Sequence, residues 1–276
     1  MVKISKRPRQ KPSFFERICA APSIFNKVLQ MQHIVPLAAT FAILLSRAVA
    51  AEPISTVPSP LPATRAPCAA FTPEADYINQ TLVMQLEGRE IGLRVPRVFL
   101  EDVWDLRSGF SDTAQLFQVE IGSFLPVTRA ETGRRNKRGI WNWMHFVISD
   151  KIPLDKLAVL SAELGSAVIG GDNTRDLESY APQPGPFGLA EIRSDAPQPT
   201  RSFRTNTYIS RSADGTLSAV LSCNVPGSVM NPVCQHWFRA AGMDIELSYR
   251  RTELPNWLAL QEDVNAFAGC LTRPAP

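Results

Sequence analysis

Four short runs follow one another near the end of this chain, residues 203–210, 217–223, 233–239 and 243–250, each rich in β-branched, aromatic or aliphatic side chains. In the last of them Met243, Ile245, Leu247 and Tyr249 alternate with Asp244, Glu246, Ser248 and Arg250. That period of two buries one face of a strand and wets the other. Connections this short, one of them the turn at Asp214-Gly215, predict an antiparallel meander. Beyond it Trp257, Leu260, Val264, Phe267 and Leu271 step by three and four residues, and Pro255 stands where a first helical turn accepts it. The spacing predicts an amphipathic helix, with Cys270 beside its apolar stripe.

Upstream the same alternation recurs. Leu82, Met84 and Leu86 give way to Glu87-Gly88-Arg89, then Ile91, Leu93 and Val95 resume until Pro96, which is a β-hairpin signal. Residues 114–121 and 140–148 read as further strands, the second carrying Trp141, Trp143 and Phe146. Residues 129–139 between them read as a polar loop. Pro153 opens a helix in which Leu154, Leu157, Leu160 and Leu164 share a side, with Gly165 as its stop. Residues 171–199, rich in Pro, Gly and Asp, read as a long surface loop or lid that holds one short strand at 187–192. The expected fold class is α+β: an antiparallel sheet, made of a hairpin and a C-terminal four-strand meander, covered on one face by amphipathic helices.

The other end of the chain bears on where this domain works. Lys3, Lys6, Arg7, Arg9, Lys11, Arg17 and Lys27 precede an apolar run of twelve residues, 34–45, and the small-residue site Ala48-Val49-Ala50. This reads as a signal peptide over residues 1–50, cleaved after Ala50 or Ala51. The alternative is an inner-membrane anchor, although a bilayer core takes roughly twenty apolar residues to cross. Residues 51–70 hold prolines and small residues without periodicity and read as a tether; residues 71–276 read as a single domain. Arg65-Ala66-Pro67-Cys68 lacks the residues of a lipidation site.

Residues 1–50 hold eight of the 29 Lys and Arg and one of the 26 Asp and Glu, which leaves 21 against 25 and a net of −4. The exported domain is therefore acidic, and nucleic acid is not an expected partner. Membrane contact is expected only if the first segment stays uncleaved. The localisation that follows is periplasmic or secreted, within a bacterial cell envelope.

An oxidising compartment favours disulfides, and the mature chain keeps four cysteines. Of three pairings, Cys223–Cys234 with Cys68–Cys270 is favoured, since one closes a short loop and the other ties the ends of the domain. A zinc set of Cys223, Cys234, His236 and Cys270 is the alternative weighed, but its spacing fits no common finger, so no metal and no cofactor is expected. No nucleophile elbow, phosphate loop, zincin pair or dinucleotide fingerprint occurs.

Candidate chemistry is accordingly sparse. His145 shares a strand with two tryptophans and is the one weak catalytic candidate; His236 reads as structural, beside a core disulfide. Carboxylate pairs of the kind that cleave glycosides could be drawn from Glu101, Asp102, Asp105, Glu120, Glu131, Asp244 and Glu246, but no spacing selects one. The most distinctive cluster is Arg134, Arg135, Lys137 and Arg138, followed by Trp141 and Trp143, a mixture enriched in binding hot spots. Residues 224–232, in the loop that Cys223 and Cys234 would close, form a second candidate surface. Together these point to an envelope binding protein with a protein partner, of the inhibitor or immunity type that blocks an envelope-active enzyme. An envelope hydrolase using His145 or a carboxylate pair, and a structural part of a secretion or envelope assembly, are the alternatives.

Overall fold

The computed structural model describes residues 66–164, 175–194 and 204–273. The expected signal or anchor, most of the tether, Gly165 and both ends of the 171–199 excursion lie outside these residues. In chain order come β1 (Tyr77–Met84), β2 (Arg89–Pro96), β3 (Phe110–Asp112), β4 (Ala114–Glu120), α1 (Arg129–Lys137), β5 (Trp143–Ser149) and α2 (Leu154–Leu164). They are followed by β6 (Gln183–Pro184), β7 (Ala190–Ile192), β8 (Thr205–Arg211), β9 (Leu217–Asn224), β10 (Val233–Ala240), β11 (Met243–Arg250) and α3 (Trp257–Leu271).

The large sheet has eight strands in the order β4-β5-β11-β10-β9-β8-β7-β6, antiparallel throughout, and does not close into a barrel. The meander read from the sequence forms its centre. The hairpin β1–β2 belongs to a second, three-stranded sheet, whose third member β3 lies parallel to β1 through Gln80↔Phe110 to Leu82↔Asp112. Residues 110–112 are too few to show a period, and their pairing was not foreseen.

Alternation sorts the side chains of the large sheet into two layers. Phe117, Phe146, Ile245, Phe238 and Leu221 turn to one face, where the hairpin and α3 cover them. Phe267 of α3 sits at the centre of that layer, with the rings of Phe71, Phe99, Phe117, Phe124 and Phe146 at 5.3, 5.0, 5.3, 5.7 and 5.5 Å. Each aromatic pair contributes about 1 kcal/mol beyond the area it buries. The opposite face receives Ile192, Ile209, Val220 and Trp237, which pack on Leu157, Ala158 and Ala162 of α2. The amphipathic helices are thus divided, α3 on one face and α2 on the other. Val220 and Trp237 put apolar area on the face that strict alternation would leave wet, and α2 covers it.

Both favoured disulfides are present. Cys68 is bonded to Cys270, and Cys223 to Cys234, which stand directly opposite each other in the β9–β10 register. The zinc set is thereby excluded, since its three cysteines are spent on sulfur. Residues 129–139 are not a polar loop, as read, but contain α1, which has no apolar stripe to betray it. What starts the helix is a cap: the Thr128 hydroxyl accepts from the Glu131 amide at 3.1 Å.

Candidate functional site

The basic cluster takes its order from α1. Glu131, one turn in, accepts from Arg134 Nη2 at 2.6 Å and from Arg135 Nε at 3.0 Å, the spacings at which helical side chains meet. Arg135 then bends under the helix: its Nη1 lies 2.9 Å from Glu120 Oε1 and 3.0 Å from Asn142 Oδ1, and Asn142 Nδ2 donates to the same Glu120 oxygen at 2.8 Å. Burial pushes the Glu120 carboxyl up, but the bonds from Ser123, Arg135 and Asn142 outweigh it and hold it below the usual carboxylate range. The Arg135 and Arg134 hydrogen bonds lower Glu131 in the same way. Arg135, 19% exposed, is therefore the root that fixes α1 to β4. Arg134 and Arg138, 63 and 62% exposed, and the exposed Lys137 face outward. Lys137 makes no ion pair among the described residues.

The tryptophans stand beside that helix. Trp143 Nε1 donates to Asn136 Oδ1 of α1 at 3.3 Å, and its ring lies 6.1 Å from that of His145. Trp141, just ahead of β5, carries the Arg250 guanidinium 4.4 Å above its ring. Arg250 Nη1 also donates to Asn231 Oδ1 at 2.9 Å, inside the loop closed by Cys223 and Cys234. One side chain thus joins the two surfaces that the sequence set apart. The loop is held at its base by Arg251 Nη1 on the Asn224 carbonyl at 2.7 Å and by the Val233 amide on Asn224 Oδ1 at 3.1 Å. At its tip Met230 is 93% exposed. Neither Arg250 nor Asn231 carried a sequence signal, because their meeting depends on the register of β10 with β11.

The catalytic candidates find no comparable setting. His145 lies in register with Gln118 and Ser248, yet no hydrogen bond or ion pair to it occurs among the described residues. Burial lowers its affinity for a proton, and the nearby Glu246 offsets only part of this. His236 is fully buried, bonded through Nε2 to Gln261 Oε1 at 3.0 Å and surrounded by Phe238, Tyr249 and Trp257. Desolvation takes it down to about 3, so it is neutral and structural, as expected. The candidate carboxylates are mostly engaged: Glu120 and Glu131 on Arg135, Asp244 on Arg239 and the Lys151 amide, Glu246 on Lys151.

No protein-family model matches the chain, and no curated protein matches it. Two solved structures resemble its fold. One is Smlt3025, an immunity protein of the Stenotrophomonas maltophilia type IV secretion system, 19% identical with a TM-score of 0.47 over 72% of this chain and 95% of that one. The other is the Neisseria meningitidis iron-regulated outer membrane lipoprotein FrpD, 10% identical with a TM-score of 0.44 over 73% of this chain and 94% of that one. At these identities and scores neither likeness assigns a partner or an activity to this chain.

Proposed function

We propose that this chain is an exported envelope binding protein of the inhibitor or immunity type, which recognises an acidic protein surface through α1, Trp141, Trp143 and the 224–232 loop. The observation that carries the reading is Arg250, bonded to Asn231 and stacked on Trp141, which makes one continuous surface of two candidates. Its outward groups are arginines, a lysine and half-buried tryptophans on a braced framework, and the tryptophans, already held by Arg250 and Asn136, need little ordering on contact. The cations match carboxylates on the partner, bidentate where the partner offers an aspartate or glutamate to Arg134 or Arg138.

The test is quantitative recovery of partners from native envelope extract by residues 52–276, beside a variant with Arg134, Lys137 and Arg138 changed to glutamate. Arg135 stays, because it holds the fold. One dominant partner, lost in the variant, is the expected result; equal recovery by both proteins rejects the site. Recovery within a large, stable assembly would favour the structural-component reading instead.

A further inference from the structure

A second surface lies at the other end of α1. After β2 the chain makes a short 3₁₀ turn, Arg97–Phe99, and residues 98–105 run beside the edge strand β4. Phe99 and Leu100 turn inward, whereas Val98, Val103 and Trp104 remain more than half exposed, as does Leu125, the residue just ahead of Pro126. Leu116 and Gln118 of β4 and the segment from Pro126 to Arg129 complete a groove.

Its polar groups are one-sided. Glu101, Asp102 and Asp105 all line it. Glu101 Oε1 accepts from the Arg129 amide at 2.7 Å, and Asp102 Oδ1 from the Trp104 amide at 3.0 Å. Among the described residues the Asp105 carboxylate receives only a long bond from Gln115 Nε2, 3.4 Å, and the buried Gln118 Oε1 receives none. Of the nearby cations, Arg129 sits on the wall and Arg107 is stacked 4.4 Å from the Trp104 ring. The groove is therefore rich in acceptors and carboxylates and short of donors, under an apolar lip. An anionic headgroup or an acidic segment would meet three carboxylates there; a cationic side chain would find acceptors it can satisfy.

We propose that this groove docks a basic, apolar segment of a protein partner, with a lysine or arginine lying over Asp102 and Asp105 and a large apolar side chain against Val98, Trp104 and Leu125. The surface is distinct from the basic patch at the far end of α1 and has the opposite charge.

The probe is a fluorescein-labelled decapeptide alternating lysine and leucine, with decalysine and a glutamate–leucine decapeptide as comparators, read by anisotropy against the purified protein. The lysine–leucine peptide should bind about tenfold tighter than either comparator, and Trp104→Ala with Asp105→Asn should weaken it about tenfold. A second variant, Val98→Ser with Leu125→Ser, should do the same, with circular dichroism showing both folded. Changing Arg134, Lys137 and Arg138 to glutamate should leave this binding unchanged, which separates it from the patch. The proposal is overturned by binding that ignores the groove variants, by equal binding of decalysine or of the acidic peptide, or by no binding at all. Salt-sensitive self-association that the same variants abolish would overturn it too, because the occupant would then be a second copy of the chain.

Discussion

The Arg135 guanidinium lies 2.9 Å from the Glu120 carboxylate, joining α1 to the last residue of β4. Breaking a partly buried, hydrogen-bonded pair leaves a carboxylate without its counter-charge. Arg135→Ala should therefore cost about 2 kcal/mol in urea unfolding, while Lys137→Ala stays within about 0.5 kcal/mol of the parent. Two cations of one helix, two positions apart, are thus separable, one by stability and the other by the proposed partner binding.

Acid should unfold this protein in two stages. His236 titrates near 6.5 when unfolded and near 3 when folded, so its contribution is complete above pH 6.5 and is lost as pH falls towards 3. Stability should fall by up to about 1.4 kcal/mol per pH unit in that window, and His236→Asn should flatten the slope more than His145→Asn. Glu120 is depressed below its unfolded value of 4.5, so its share is present above that value and is lost below it. Urea midpoints measured from pH 7 to 3.5 check both stages.

Phe267 is fully buried amid five aromatic rings. Phe267→Ala should cost about 3–5 kcal/mol, because rings supplied by separate elements cannot close the cavity together. A smaller loss in chemical denaturation would mean that this layer repacks.

The two disulfides should differ in weight. Loop-entropy reasoning assigns about 5 kcal/mol to Cys68–Cys270, which closes 202 residues, and about 3 kcal/mol to Cys223–Cys234, which closes 11. Paired Cys→Ala variants in thermal unfolding test the order. The second pair should also loosen Asn231 from Arg250 and so weaken partner binding.

The strands of the meander and the α3 stripe were legible because periods of two and of 3.6 record which residues meet a core. Those periods do not say which partner covers them, so the placing of α2 against Trp237 and Val220 had to come from the structure. Helix α1 was missed for a related reason: Arg129, Glu131, Arg134 and Lys137 offer no apolar face. The Thr128-x-x-Glu131 cap was nevertheless there to be read. Of the candidate site, residue types were visible and their division of labour was not. Nothing in the sequence separates Arg135, folded under the helix, from Arg134 beside it.

The bond from Cys68 to Cys270 also sets a mechanical route. The first described residues are joined to the end of α3 by sulfur, and Phe71 rests on Phe267. A pull applied ahead of Ala66 would cross to α3 as shear against the aromatic layer before it reached β1, so the hairpin would not peel strand by strand. Trp143 and His145 lie on the opposite side of the large sheet from α3. A molecule held from its N-terminal end would therefore bear the load on the α3 side while the face that carries Trp143 and His145 stayed unstrained.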